Sequence, residues 1–255
     1  MAIDVGNTHT VYGIYQDGQW KGAWRRATNL DETEDQLASW VYGLCQMAGL
    51  PFEIKAAMVS SVVPGMNTAI DLFCKDWLGI APKFLHPEDD LGLPILYEPK
   101  ASVGADRIAN ALAALEKFEK PIVIVDFGTA TTVEAISEKG EYLGGAIMPG
   151  VIVASQALFG RAAKVPIIDL REPDHAIGRN TTDALRAGTL LGYAGAVDTL
   201  VRRFADELGA TPSTVATGGL AGIFMQLCES IQAHEPNMTL EGLLIAARRY
   251  GLPVN

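Results

Sequence analysis

The sequence predicts an α/β protein made of two related halves, each with a mixed β-sheet. One observation is an internal repeat: the nine residues from Ile3 recur 122 residues later, from Val125, with the same order of apolar, acidic, glycine and threonine positions. The other is that apolar runs with strand character alternate with segments of helical periodicity around both copies. This alternation is typical of α/β proteins, and a repeat at this spacing favours two half-domains over a solenoid.

Each copy of the repeat consists of an apolar strand, an aspartate, a glycine turn and a second apolar strand. Asp4 aligns with Asp126, and without any gap Asp17–Gly18 then aligns with Lys139–Gly140. Each copy therefore predicts two successive hairpin turns.

The next elements of the first half follow from capping and periodicity. Thr33 and Gln36 predict a capping box at the start of a helix. Residues 56–63 have the composition of a buried strand that Pro64 ends, and Asn67 is expected to cap the helix that follows. A further helix is predicted by apolar residues at helical spacing: Ile108, Leu112, Leu115 and Phe118.

In the second half, strands are expected at 121–125 and 214–217, a long helix at 180–208, and a short final helix after Gly218–Gly219. The long helix carries three glycines on one side, at 188, 192 and 195. Each costs roughly 1 kcal/mol relative to alanine, so we expect another backbone to approach there closely. The charged stretch before Pro121 predicts a division into halves 1–117 and 118–255.

Composition and charge exclude several classes of partner. The 255 residues include 20 lysines and arginines and 30 aspartates and glutamates, a formal charge of −10. Nucleic-acid and anionic-membrane binding need a basic surface and are not expected, although backbone N–H groups can still bind phosphate. The three cysteines form no paired pattern, and the longest apolar stretch, 143–154, is too short to span a bilayer. A cytoplasmic location is expected.

The two glycine turns are the first candidate site. The sequence contains neither a P-loop nor a G-x-G-x-x-G motif. Asp4-x-Gly6 and Asp126-x-Gly128 instead present backbone N–H and hydroxyl groups that suit phosphate oxygens. One such turn is as well explained by hairpin chemistry alone. Two aligned copies, each with an acid at the end of a buried strand, favour a functional site because a buried acid needs a counter-charge.

Three further motifs admit a structural and a functional interpretation. Asp106 opens a helix and is therefore interpreted either as a cap or as a reacting carboxylate, and Arg107 either as a surface charge or as a substrate ligand. The glycines of 144–150 and 217–222 either connect a strand to a helix or let a ligand approach the backbone.

Together these motifs resemble the type III pantothenate kinases, members of the acetate and sugar kinase/Hsp70/actin superfamily. The resemblance covers nearly the whole chain and implies two ribonuclease-H-like half-domains, the actin-like ATPase duplication, with ATP between them. Where the family has Phe before the acid that follows its second threonine motif, this chain has Val133 before Glu134. The motifs are D-V-G-N-T-H-T, V-G-A-D-R, D-F-G-T-A-T-T, G-G-A-I-M-P-G, I-G-R-N-T, A-T-G-G-L and T-L-E-G-L.

The resemblance implies transfer of the γ-phosphoryl group of ATP to the terminal hydroxyl of pantothenate, giving 4'-phosphopantothenate in the first step toward coenzyme A. It implies that Asp106 is the catalytic base, that Asp4 orients Mg²⁺ through water, and that Asp126 binds K⁺ or NH₄⁺. The implied ATP-binding residues are Asp4, Val5, Gly6, Asn7, Thr8, His9, Thr10, Val11, Thr129, Gly218 and Gly219. The implied pantothenate-binding residues are Tyr97, Gly104, Ala105, Asp106, Arg107 and Thr181, the last donated by the second subunit of a homodimer.

Two other functions are also compatible with these residues. A kinase of the same superfamily with another small hydroxylated or carboxylated acceptor would keep the ATP-binding residues and differ at Tyr97, Arg107 and Thr181. A non-catalytic ATP-binding protein would keep the glycine turns and lose the base, which an intact Asp106 argues against.

Overall fold

A computed structural model describes residues 1–161 and 169–254 of the chain. The first sheet and its helices comprise β1 (Ala2–Val5), β2 (His9–Gln16), β3 (Gln19–Ala27), α1 (Glu34–Met47), β4 (Met58–Ser61), α2 (Pro64–Leu72), β5 (Lys83–Phe84) and α3 (Ala105–Lys117). The rest comprises β6 (Ile122–Phe127), β7 (Ala130–Ile136), β8 (Tyr142–Pro149), α4 (Val151–Arg161), α5 (Thr181–Leu208), β9 (Ser213–Thr217), α6 (Ala221–Leu227), β10 (Ala233–His234) and α7 (Met238–Arg249). No helix within these ranges is long and apolar enough to cross a membrane.

Two five-stranded sheets have the same topology. Their strand orders are β3-β2-β1-β4-β5 and β8-β7-β6-β9-β10. In each sheet the central strand, β1 or β6, is antiparallel to the strand that follows it and parallel to β4 or β9. The predicted class, a duplicated α/β fold with two mixed sheets, is confirmed.

Backbone contacts divide the chain into two compact units with limits of their own. Unit 1 comprises Met1–Leu93, Glu98–Ala113 and the segment from Met238 onward, and unit 2 comprises Pro94–Tyr97 and Ala114–Asn237. Helix α7 belongs to unit 1 because it packs on β1 and β4. The helix after Gly218–Gly219 is α6, so the prediction that it is the final helix is wrong.

The pairing registers show that the two glycine turns differ in length. Asp4 pairs with Val11, whereas Asp126 pairs with Thr132, so corresponding residues of β2 and β7 are 121 positions apart. The irregularities after Ile14 and after Ala135 lie at the same spacing. The gapless alignment is therefore wrong by one residue along β2, because the first turn is one residue longer than the second. The second hairpin restores the predicted spacing, since Trp20 pairs with Tyr15 as Tyr142 pairs with Ile136.

The helix starts of unit 1 show which capping signals the fold uses. The capping box of α1 is confirmed, since the Gln36 amide donates to Thr33 Oγ1 (3.4 Å) and the Thr33 amide to Gln36 Oε1 (3.0 Å). The expected cap at Asn67 is wrong, because α2 begins at Pro64, where the fixed φ of proline suits the first helical position. Asn67 instead accepts a hydrogen bond from Ser61 Oγ (2.6 Å).

Helix α5 contributes to the core of unit 2 through one face and leaves its glycine face open. Leu190 and Val197 are fully buried against Val125 and Val133 of the sheet. Asn180 caps the helix as the sequence predicts, with Oδ1 accepting from the Asp183 amide (2.9 Å). Among the described residues, nothing lies within 4 Å of a side chain added at Gly188, Gly192 or Gly195. The expected close neighbour is therefore not found within the described chain.

Substitution of Gly242 in α7 tests the packing within unit 1. A methyl group at Gly242 would overlap the backbone of Ala109 in α3. Overpacking typically costs about 1–3 kcal/mol, and here rigid backbone must move, so Gly242→Ala should lower the free energy of unfolding by at least that amount.

The matched control is Gly43→Ala in α1, where an added methyl group meets nothing within 4 Å. Alanine is favoured over glycine inside a helix by roughly 1 kcal/mol, so this variant should be as stable as the parent or more stable. Urea denaturation of the three proteins measures both effects. Equal stability of Gly242→Ala and the parent would contradict the close packing of α3 and α7.

Candidate active site

The turn between β1 and β2 is held by hydrogen bonds to its carbonyl groups. The Gly6 amide donates to His9 O (3.0 Å), which closes the turn. Thr28, just after β3, donates its amide to Thr8 O (3.0 Å) and its hydroxyl to Gly6 O (2.6 Å). The carbonyl groups of Gly6 and Thr8, the residues on either side of Asn7, therefore both accept a hydrogen bond from Thr28.

The residues expected to bind ATP at this turn differ in exposure. Asn7, Thr8 and His9 are exposed, and Asp4 and Gly6 are half-buried. Thr10 is almost fully buried. The side chain of Val5 belongs to the core of unit 1, and Val11 is half-buried. A ligand here would therefore meet backbone N–H groups and the side chains of residues 7–9, an arrangement that suits phosphate oxygens.

Asp106 is the second residue of α3, and Gly104 shapes the space around it. A methyl group at Gly104 would overlap Asp106 Oδ1 and lie 3.4 Å from Val62 Cγ1. The Val62 amide in turn donates to Val5 O (3.1 Å) at the end of β1. Within unit 1 the structure therefore brings the start of α3 close to the ends of β1 and β4, where Asp4 lies.

Two opposing effects act on the pKa of the Asp106 carboxylate. Burial raises its pKa above the ordinary value for aspartate, and the hydrogen bond from the Arg107 amide to Oδ1 (2.8 Å) opposes this shift in part. Asp106 lies inside the first turn of the helix rather than at the capping position before it. Ala105 is buried and Arg107 half-buried, so Arg107 is the more accessible of these two neighbours.

In unit 2, Asp126 lies beside a position that requires glycine. Gly218 has φ of +92°, and a methyl group there would lie 2.5 Å from Asp126 Oδ1 and 2.7 Å from the backbone of Phe127. Asp126 also pairs with Thr217, the last residue of β9. Asp126, Gly218 and the turn at Gly128–Thr129 are thus gathered at the carboxyl ends of β6 and β9, with Gly219 exposed beside them.

The half-buried carboxylate of Asp126 suits a monovalent cation, and the backbone of Gly218 packs so closely beside it that no side chain fits there. Asp4 fits Mg²⁺ in a different way. No group of three or more potential His, Cys, Asp or Glu ligands occurs in the described residues. A single carboxylate suits an ion that keeps its waters and takes its other ligands from substrate phosphates.

Tyr97 lies at the other end of β8 from the second glycine turn. Its ring packs over Gly144, where an added methyl group would be 2.8 Å from Tyr97 Cδ2. The segment before it is bound to the sheet, since the Leu96 amide donates to Tyr142 O (2.9 Å) and the Tyr142 amide to Pro94 O (2.8 Å). Thr129 accepts a bond from the Gly150 amide (3.0 Å), just past the opposite end of β8.

Thr181 is exposed at the start of α5. Further along this helix, Tyr193 donates its hydroxyl to Pro149 O (3.0 Å), next to the turn that contains Thr129. Twelve residues of α-helix span roughly 18 Å. Within unit 2 the structure therefore does not bring Thr181 to the glycine turn.

Two polar residues at these sites were given no role by the sequence. Thr28 binds the first turn from a position 20 residues away from Thr8, and no local pattern indicates that contact. Glu134 is almost fully buried and accepts a hydrogen bond from the Tyr142 hydroxyl (3.1 Å). Its place two residues after the threonines of the second turn is the signal in the sequence.

Comparisons with known proteins agree with the resemblance seen in the motifs. Residues 1–203 match the family model described as type III pantothenate kinase. The chain is 47% identical over 249 residues to the type III pantothenate kinase of Desulfatibacillum aliphaticivorans, covering 96% of each chain. It is 42% identical over 250 residues to that of Anaeromyxobacter sp. strain Fw109-5, covering 98% of each.

Among solved structures, the chain is similar to the ROK hexokinase of Thermus thermophilus, with a TM-score of 0.52 and 14% identity over 98% of this chain and 97% of that one. At this identity the likeness concerns the fold alone.

Proposed function

The chain belongs to the type III pantothenate kinase family, and from that premise we propose how its residues perform the reaction. The protein phosphorylates pantothenate with ATP to give 4'-phosphopantothenate, the first step of coenzyme A biosynthesis. The transition state of such a transfer is loose, so the enzyme mainly positions the groups and neutralises charge.

Asp106 accepts the proton of the terminal hydroxyl of pantothenate. The oxygen of that hydroxyl forms a bond to the γ-phosphorus as the bond to the β-γ bridging oxygen breaks. The observation that carries this role is a carboxylate whose pKa is raised by burial, beside the end of β1, in a space that Gly104 keeps open. A base with a pKa closer to neutrality takes up a proton more readily than an ordinary aspartate.

The two glycine turns bind the phosphates of ATP. In unit 1 the bound carbonyl groups of Gly6 and Thr8 leave the exposed residues Asn7 and His9 to face the ligand. In unit 2, Thr129 contributes its exposed hydroxyl. Gly218 and Gly219 accept the adenosine close to the backbone, because neither carries a side chain.

Asp4 holds Mg²⁺ through water, and Asp126 holds K⁺ or NH₄⁺. When bound, these cations neutralise the charge of the phosphates and of the departing ADP. The half-buried position of Asp126 supports its assignment, since a carboxylate withdrawn from solvent is stabilised by a cation.

Pantothenate is bound by Tyr97, Gly104, Ala105, Arg107 and by Thr181 from the second subunit of a homodimer. The exposed glycine face of α5 supports a subunit contact there, and so do large apolar side chains exposed on the neighbouring elements of unit 2. These side chains are Leu143, Ile147, Ile152, Val153 and Leu158. A cytoplasmic location is proposed, in keeping with three free, buried cysteines.

Asp106→Asn tests the base. Turnover with pantothenate should fall about 10²–10⁴-fold, as for a lost general base, while ATP binding persists. Because burial raises the pKa of Asp106, the folded state disfavours its charged form, so this carboxylate lowers stability increasingly as pH rises above its unfolded pKa. Asn carries no charge, and thermal unfolding should therefore show Asp106→Asn gaining on the parent as pH rises from the ordinary pKa of aspartate to the raised pKa of the folded protein.

The matched control for Asp106→Asn is Asp71→Asn on the surface of α2, where Asp71 pairs with Lys75 (2.7 Å). Steady-state assays should find its turnover with pantothenate unchanged. A folded Asp106→Asn protein that keeps more than about a third of the parental kcat would show that Asp106 is not the proton acceptor.

Replacement of K⁺ by Na⁺ or Li⁺ tests the cation at Asp126, and turnover should fall several-fold in either salt. Gly218→Ala would place a methyl group only 2.5 Å from Asp126 Oδ1 and displace this carboxylate, so this variant should be slow in all three salts. Gly43→Ala, with open space around it, should keep the parental response to each cation. Equal parental rates in K⁺, Na⁺ and Li⁺ would refute the assignment.

A mixture of Asp106→Asn and Thr181→Val subunits tests the shared pocket. Each variant alone should be nearly inactive. Random exchange of subunits makes half of the dimers hybrid, each with one intact site, so about a quarter of the parental activity should return. No recovery after exchange has been demonstrated by mass spectrometry would contradict a pocket completed by the second subunit.

A further inference from the structure

We propose that Thr28 is a positioning residue that sets the orientation of the ATP-binding turn at residues 6–8. The proposal rests on the proposed function, because that function gives the turn its ligand. Thr28 contacts neither reacting group and acts through the backbone of the turn.

Thr28 donates two hydrogen bonds, one to the carbonyl group of each residue beside Asn7. Its hydroxyl donates to Gly6 O (2.6 Å), and its amide donates to Thr8 O (3.0 Å). A trans peptide holds its C=O and N–H in opposite directions. When Gly6 O is held toward Thr28, the amide of Asn7 must therefore point away from Thr28, where a phosphate oxygen can accept its proton.

A third bond fixes the hydroxyl itself. Thr28 Oγ1 lies 3.0 Å from Thr10 Oγ1. A hydroxyl has one proton, and that of Thr28 is used toward Gly6 O, so Thr10 must be the donor in this pair. Thr10 is almost fully buried, which keeps water from competing for the bond. The chain of hydrogen bonds from Thr10 through Thr28 to Gly6 thus holds the Thr28 side chain in a single orientation.

The segment that follows Thr28 is also held in place. The Glu32 amide donates to Asn29 O (3.3 Å), and the Glu32 carboxylate forms an ion pair with Arg26. The Glu32 side chain is only 3% exposed, so breaking this pair would leave a charge without compensation. Thr28 therefore lies in a segment whose two ends, Arg26 and Glu32, are joined by an ion pair.

The second glycine turn has no counterpart of the Thr28 side chain. There Gly150 occupies the position of Thr28, and its amide donates to Thr129 O (3.0 Å) as that of Thr28 does to Thr8 O. A methyl group at Gly150 would overlap Thr129 O and lie 2.5 Å from Gly128 O. The shorter turn thus packs directly on a glycine, whereas the longer first turn leaves a space that the Thr28 side chain fills and bridges.

The test compares Thr28→Val, which keeps the shape and removes the hydroxyl, with Thr28→Ser, which keeps the hydroxyl. Loss of the bonds to Gly6 O and Thr10 should raise the KM for ATP about tenfold in Thr28→Val and leave the KM for pantothenate within about twofold of the parent. Thr28→Ser should behave as the parent. Calorimetry with a non-hydrolysable ATP analogue should show the same tenfold change in Kd.

Thr68→Val, at an exposed position of α2, is the control for the exchange of threonine for valine and should have parental constants. Thr10→Val is a milder second variant that removes only the donor to Thr28 Oγ1, and it should weaken binding of the analogue about threefold. A folded Thr28→Val protein with parental affinity, or equal losses in Thr28→Ser and Thr28→Val, would overturn the proposal.

The binding measurement also separates this proposal from the proposed function. A parent protein that binds the analogue and fails to phosphorylate pantothenate would contradict the function, and the comparison of Thr28 variants by calorimetry would still decide the role of Thr28.

Discussion

Each sheet has a central strand with an antiparallel neighbour on one side and a parallel neighbour on the other, and an aspartate stands near the carboxyl end of that strand. Asp4 and Asp126 are both half-buried there, between Val11 and Ser60 in one unit and Thr132 and Thr217 in the other. A carboxylate so placed is favoured by a nearby cation, and the glycine turn beside it has exposed residues, Asn7 in one unit and Thr129 in the other, that a phosphate can reach. The phosphate-binding and cation-binding roles proposed for this chain both depend on that constraint.

Glycine has a different physical role at each site. At Gly218 it allows a positive φ and a close approach of the backbone to Asp126 Oδ1. At Gly104 it makes room for the carboxylate of Asp106, two residues further along, and at Gly150 it lets β8 close directly over the second turn. The glycines on α5 contact nothing in the described chain, and in the proposed dimer a second subunit covers them.

The two halves share a topology and differ in detail where the chemistry differs. The first turn has one more residue than the second, and Thr28 bridges it where Gly150 closes the other. Unit 1 also holds Asp106, the carboxylate with a pKa raised by burial. The two turns proposed to bind phosphate thus share a topology, and differences in turn length and side chains distinguish the base proposed in unit 1 from the cation site proposed in unit 2.

The sequence by itself determined the fold class and the capping box at Thr33, because the repeat, the hydrophobic periodicity and the capping residues are local signals. Its motifs also determined the family, and with it the reaction. It misjudged the start of α2 and the length difference between the turns, and it missed α7, because tertiary packing and strand register decide these features. The contact of Thr28 with Gly6 likewise exists only in the folded chain, because pairing of β2 with β3 brings together residues 22 positions apart. The surroundings of Asp106 are decided in the same way, since Val62, which is distant in sequence, lies close to Gly104 at the start of the same helix.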